Sequence, residues 1–128
     1  MSKKAIALVG LASLAACGPR AIPLADGQCR SLQVGDRVEG SAILSAYVGN
    51  VCVECGTRLS RAGCAGDIGF RNANDRVDND YRRIVQNLPL DAEMYDFVKG
   101  RVFVSGTVVR SADGSLSVSA DAIRNVDR

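Results

Sequence analysis

Arg101-Val-Phe-Val-Ser-Gly-Thr-Val-Val-Arg110, then Asp113-Gly114, then Leu116-Ser-Val-Ser-Ala120 is the stretch that decides the fold. Val102, Val104, Gly106 and Val108 share one parity, while Phe103, Ser105, Thr107 and Val109 share the other. A strand turns alternate side chains to opposite faces, so this pattern predicts a half-buried strand. Asp-Gly is a favoured hairpin turn, and Leu116, Val118 and Ala120 resume the alternation beyond it. The stretch therefore predicts an antiparallel hairpin with one apolar face.

Upstream, Val34 to Val48 alternates in the same way. Val38, Gly40, Ala42, Leu44, Ala46 and Val48 fall on one face, opposite Arg37, Glu39, Ser41 and Ser45. Gly40 inside such a strand predicts a bend or bulge. Gly49-Asn50 marks a turn, Val51 to Leu59 reads as a second strand, and Ile68-Gly69-Phe70 reads as a short third one. Between them, Ser60 to Asp67 is Gly-rich and turn-like. Residues 72–80 hold six Asn and Asp, which favour turns and caps, and predict a solvated loop that caps a following helix. Tyr81, Ile84, Val85 and Leu88 then repeat at helical spacing until Pro89. Leu90 to Val98 fits either more helix or a loop.

The expected order is thus long strand, strand, strand, short helix, hairpin. Five strands with a helix between the third and fourth is the layout of a small OB-like barrel, a mostly β fold. The run Val102-x-Val104-x-Gly106-x-Val108 before a turn also resembles the last two strands of OB-like bacterial domains. An open α+β sandwich is the alternative.

The first residues carry an address. Lys3 and Lys4 precede an apolar run from Ala5 to Leu14, and Leu14-Ala15-Ala16-Cys17 closes it. This resembles the signal peptide and lipobox of bacterial lipoprotein precursors. The resemblance implies cleavage before Cys17, a diacylglycerol on the Cys17 sulfur and usually an acyl group on the new amino terminus. Two or three chains make a lasting anchor where one would not. Gly18 in the second mature position, rather than an aspartate, implies the periplasmic face of the outer membrane. The expected organisation is a signal peptide over 1–16, a lipidated tether over 17–28 and the β domain over 29–128. That tether would span at most ~30 Å at about 3.3 Å per residue.

Cleavage also changes the arithmetic. It leaves 112 of the 128 residues, and because Lys3 and Lys4 account for the net +2, the remainder is formally neutral. A neutral chain lacks the basic surface that nucleic acid requires, so no nucleic-acid partner is expected. Five cysteines become four once Cys17 takes lipid: Cys29, Cys52, Cys55 and Cys64. An even number in an exported chain predicts two disulfides. The favoured pairing is Cys55–Cys64 across the second-to-third-strand turn with Cys29–Cys52. Cys52–Cys55 with Cys29–Cys64 stays open. Each bridge would contribute roughly 3 kcal/mol.

Chemistry has little purchase. Cys52-Val-Glu-Cys55 is a C-x-x-C, but its valine flanks favour extended chain over the helix N-terminus that activates such thiols. Four thiolates could hold zinc, although only one C-x-x-C is present. The Asn/Asp run departs from the EF-hand template at its third ligand, Arg76. The chain contains no histidine, which removes His-based triads. Among the aromatics Tyr47, Phe70, Tyr81, Tyr95, Phe97 and Phe103, several are placed for the core rather than for base stacking. The sequence thus predicts a non-enzymatic, lipid-anchored binding or structural module of the cell envelope, without cofactor or metal, whose partner is an envelope protein or glycan. The alternative is an envelope thiol–disulfide or metal-handling protein using Cys52 and Cys55.

Overall fold

The computed structural model describes residues 20–50 and 56–126. The leader, Cys17, Cys52 and Cys55 lie outside the described residues. In chain order the elements are β1 (Ile22–Leu24), β2 (Arg37–Tyr47), β3 (Arg58–Ser60), β4 (Ile68–Asn72), helix α1 (Asp75–Gln86), β5 (Phe97–Arg110) and β6 (Leu116–Asn125). The strands form one six-stranded mixed sheet, β1-β2-β3-β4-β6-β5, in which β2 also pairs with β5. The pairing therefore returns to β2. β1 is parallel to β2 and β4 to β6, while the remaining pairs are antiparallel.

The expected alternation in β2 and β5 determines the core. Val38, Ala42, Leu44 and Ala46 are buried from β2, and Val102, Val104 and Val108 from β5. Val118, Ala120 and Ile123 join them from β6. The three-residue step from Ala120 to Ile123 marks a β-bulge: Ser105 faces Ala122 and Gly106 faces Ala120, leaving Asp121 as the extra residue. The turn differs from the two-residue form that Asp113-Gly114 suggests. Ser111 to Ser115 form the loop, with Gly114 N–H donating to Ser111 O at 2.9 Å. Asp113 Oδ1 accepts from the Ser115 N–H and hydroxyl, a local bond that holds the longer loop.

Three other expectations are corrected. Residues 75–80 are helix rather than loop: Asn74 caps α1 by accepting from Val77 N–H at 3.0 Å, and Asp75 and Asp78 sit in the first turn. Acidic side chains are favourable there against the helix dipole, so the Asn/Asp run starts the helix. Fully buried Val77 extends the apolar stripe of Ile84 one turn earlier, and α1 packs on β6 and β4. Second, the ambiguous 90–98 stretch ends in sheet, since β5 begins at Phe97 and Leu90 bridges Val98. Of the expected second strand, residues 56–59 are described, and the strand there, β3, runs over Arg58–Ser60.

Third, part of the expected tether is sheet. β1 lies beside β2 with Leu24 opposite Gly40, and Leu24 is buried. A sixth strand is thereby added to the expected five. Gly40 has φ +148°, and a Cβ there would run into the Leu24 backbone. Its missing side chain is what lets β1 close on β2, beyond the bend foreseen for it. Gly114 also has a positive φ, of +90°, but faces open space. Gly40→Ala is expected to cost roughly 2–3 kcal/mol in urea unfolding, from strain and collision together, and Gly114→Ala about 1 kcal/mol. Equal losses at the two sites would contradict the close-approach role.

Candidate functional site

The segment leading into β2 is fastened to the turn after β3. Gly27 N–H donates to Ala62 O at 2.8 Å, and Arg61 Nη1 donates to the carbonyls of Gln28 (2.7 Å) and Arg30 (3.2 Å). Arg101 from β5 grips Asp26 with both terminal nitrogens, at 3.1 and 3.0 Å. A disulfide between Cys29 and Cys64, with Cα atoms 5.3 Å apart, fixes the same seam covalently. This overturns the favoured pairing: Cys64 is bound to Cys29 rather than Cys55, and Cys29 is not available to Cys52. The reason is that the chain before β2 folds back along β3 instead of trailing off as a tether.

The seam forms one wall of a cleft of about 310 Å³. Leu32 enters from the fastened segment, Ile68 from β4 and Leu116 from β6, giving an aliphatic floor that packs on the core. Arg58, Arg61, Asp67 and Ser115 rim it. Arg58 is tied to Asp67 through Nη2 at 2.6 Å and Nε at 3.0 Å, and Arg61 is held by the carbonyls above. The rim is polar, ordered and hydrogen-bonded, while the floor is apolar. Such a site takes an aliphatic group flanked by polar atoms. A second, smaller cleft of about 270 Å³ lies between α1 and the end of β6, lined by Ile84, Ile123 and Arg124 among others.

On the outer face, Arg37 from β2 binds the bulge residue Asp121 with Nη1 at 2.6 Å and Nη2 at 3.1 Å, and also reaches Ser105 and Thr107 on β5. The hydrogen bond from Arg37 holds the Asp121 carboxyl below its ordinary range, and Asp121 in turn raises Arg37. The cluster joins three strands, so its role is in the sheet rather than in chemistry. Phe103, of the parity opposite Val102 and Val104, lies on the outer face under Arg124, 4.3 Å from the ring centroid. Phe70 is buried and stacks on Tyr81, whereas Tyr95 is exposed.

Of the candidate cysteines, the structure joins Cys29 and Cys64; Cys17, Cys52 and Cys55 fall outside the described residues. Among the described residues no three His, Cys, Asp or Glu side chains gather as a metal site, and no helix is long and apolar enough to cross a membrane. Arg37–Asp121 and the cleft were not foreseen. The break in parity after Ala120 was the available signal for the first; nothing in the sequence pointed to the second. No family model matches the chain, and no curated protein or solved structure matches it.

Two outcomes follow from this geometry. The Cys29–Cys64 loop spans 35 positions, so Cys29→Ser/Cys64→Ser is expected to lose on the order of 3–4 kcal/mol in denaturant unfolding. An unchanged midpoint would show that the seam holds without it. Asp121 has a lowered folded pKa, so its stabilisation is complete above the unfolded value of about 3.9 and is lost as pH falls through the folded one. Both partners are about a third or more exposed, so Asp121→Asn should cost about 1 kcal/mol or less at pH 7. It should also flatten the decline in stability below about pH 4. A decline as steep as in the parent would contradict the assignment.

Proposed function

We propose that this chain is a lipid-anchored, non-enzymatic binding module of the cell envelope, held through Cys17 on the periplasmic face of the outer membrane. Its β domain is an OB-like barrel. The circuit β2-β3-β4-β6-β5-β2, with α1 between β4 and β5 in the chain, supports that reading of the fold. The cleft lies on β3, β4 and the β5–β6 turn, the surface OB-folds use for ligands.

The observation that carries the proposal is the Cys29–Cys64 bridge. A disulfide belongs to an oxidising compartment, which agrees with the address read from Leu14-Ala15-Ala16-Cys17. It also fixes one wall of the cleft, and a preformed wall lowers the ordering cost of binding. Among the described residues the cleft offers aliphatic side chains and guanidinium groups but no aromatic ring. Sugar rings dock their C–H faces on aromatic rings, so of protein and glycan a polypeptide segment is the better occupant.

The same bridge gives the rival reading its force. With Cys29 and Cys64 joined and Cys17 lipidated, Cys52 and Cys55 have only each other, as a C-x-x-C dithiol or disulfide. Intact mass of the protein from the envelope, with and without reductant and alkylation, separates the two. Expected are loss of residues 1–16, lipid on Cys17 and two disulfides that resist mild reduction. A readily reduced Cys52–Cys55 pair or one bound zinc would favour thiol–disulfide or metal handling. A mass without lipid would remove the anchor.

A further inference from the structure

The two ends of β2 differ in what they present. The chain enters at the first end, where Ile22 lies beside Val38. At the other end Val48 N–H donates to Asp96 O at 2.7 Å, and loop 89–96 folds against the start of β5 through Asp91 N–H to Phe97 O at 2.9 Å. Val48, Leu90, Met94 and Tyr95 are 45, 62, 52 and 77% exposed there. Single exposed apolar residues are ordinary on a protein surface, whereas apolar residues gathered in one region are what an interaction site uses. Asp91 is engaged by Lys99 and by the Glu93 N–H. The Glu93 and Asp96 side chains, exposed in the same loop, have no ion-pair partner among the described residues.

We propose that this end docks a cationic, amphipathic polypeptide segment of another envelope protein. Its apolar side chains would cover Leu90, Met94 and Tyr95, and its Lys or Arg would meet Glu93 and Asp96. Charge selects this occupant. Unpaired carboxylates repel anionic lipid headgroups, and in a two-fold pair of copies they would face their own kind. Placement agrees: the surface lies at the far end of an eleven-residue strand from where the chain leads to Cys17, about 30 Å of strand contour away. This second argument rests on the proposed lipid anchor; the first does not.

The test places a photoreactive benzophenone side chain at position 95 of the full chain in cells, with position 34 as control. Val34 is also exposed, at 53%, but sits at the entry end. Expected is a crosslink from position 95 and not from 34, to a Lys/Arg-rich segment with an apolar face. It should fall at least tenfold in Glu93→Lys/Asp96→Lys while the thermal midpoint holds. Crosslinks only to lipid, to a second copy or to a segment without basic residues, a yield indifferent to the charge reversal, or no crosslink would each overturn the proposal. The Cys17→Ser chain separates the two readings. A crosslink that survives there supports docking whatever becomes of the anchor, and lipid absent from the parent's mass counts against the anchor alone.

Discussion

Eleven consecutive backbone pairs hold β2 against β5, from Arg37–Thr107 to Tyr47–Phe97, and everything else in the domain is placed by that ladder. Its register puts Val38, Ala42, Leu44 and Ala46 on the same side as Val102, Val104 and Val108. A slip of one residue would turn both sets outward, so burial and hydrogen bonding specify the same register. Burying a Val or Leu is worth about 1.5–3 kcal/mol relative to exposure, which makes this inner layer the main source of stability. β6 extends the layer with Val118 and Ala120, and α1 covers it through Val77 and Ile84.

Around this layer the chain uses local devices to finish the fold. Gly40 admits β1, Asn74 starts α1, and the bulge at Asp121 turns a carboxylate outward to meet Arg37. The segment between β1 and β2 has no strand of its own. It is held by Arg61, Arg101 and the Cys29–Cys64 bridge, and in being held it becomes a wall of the cleft. One seam thus provides stability and shapes a surface.

The long strands were legible because their period of two runs unbroken through valines and alanines, as in Val102-x-Val104. The helix was legible from Tyr81 onward but not at its start, because Asp and Asn are poor helix formers everywhere except in the first turn, where Asp75 and Asp78 stand. β1 was missed because Ile22-Pro23-Leu24 is too short for a period and its proline suggests irregular chain. The site was the least legible part. Leu32, Arg58, Ile68 and Leu116 come from four separate stretches, and the disulfide that gathers them is one of three connectivities four cysteines allow.

The seam is tested most directly by a non-reducing tryptic map, since trypsin parts the cysteines into peptides 21–30, 38–58 and 62–71. Peptide 21–30 joined to 62–71, with 38–58 closed on itself through Cys52 and Cys55, is the expected result. Either outer peptide joined to 38–58 would contradict the Cys29–Cys64 bridge, and with it the stapled wall of the cleft.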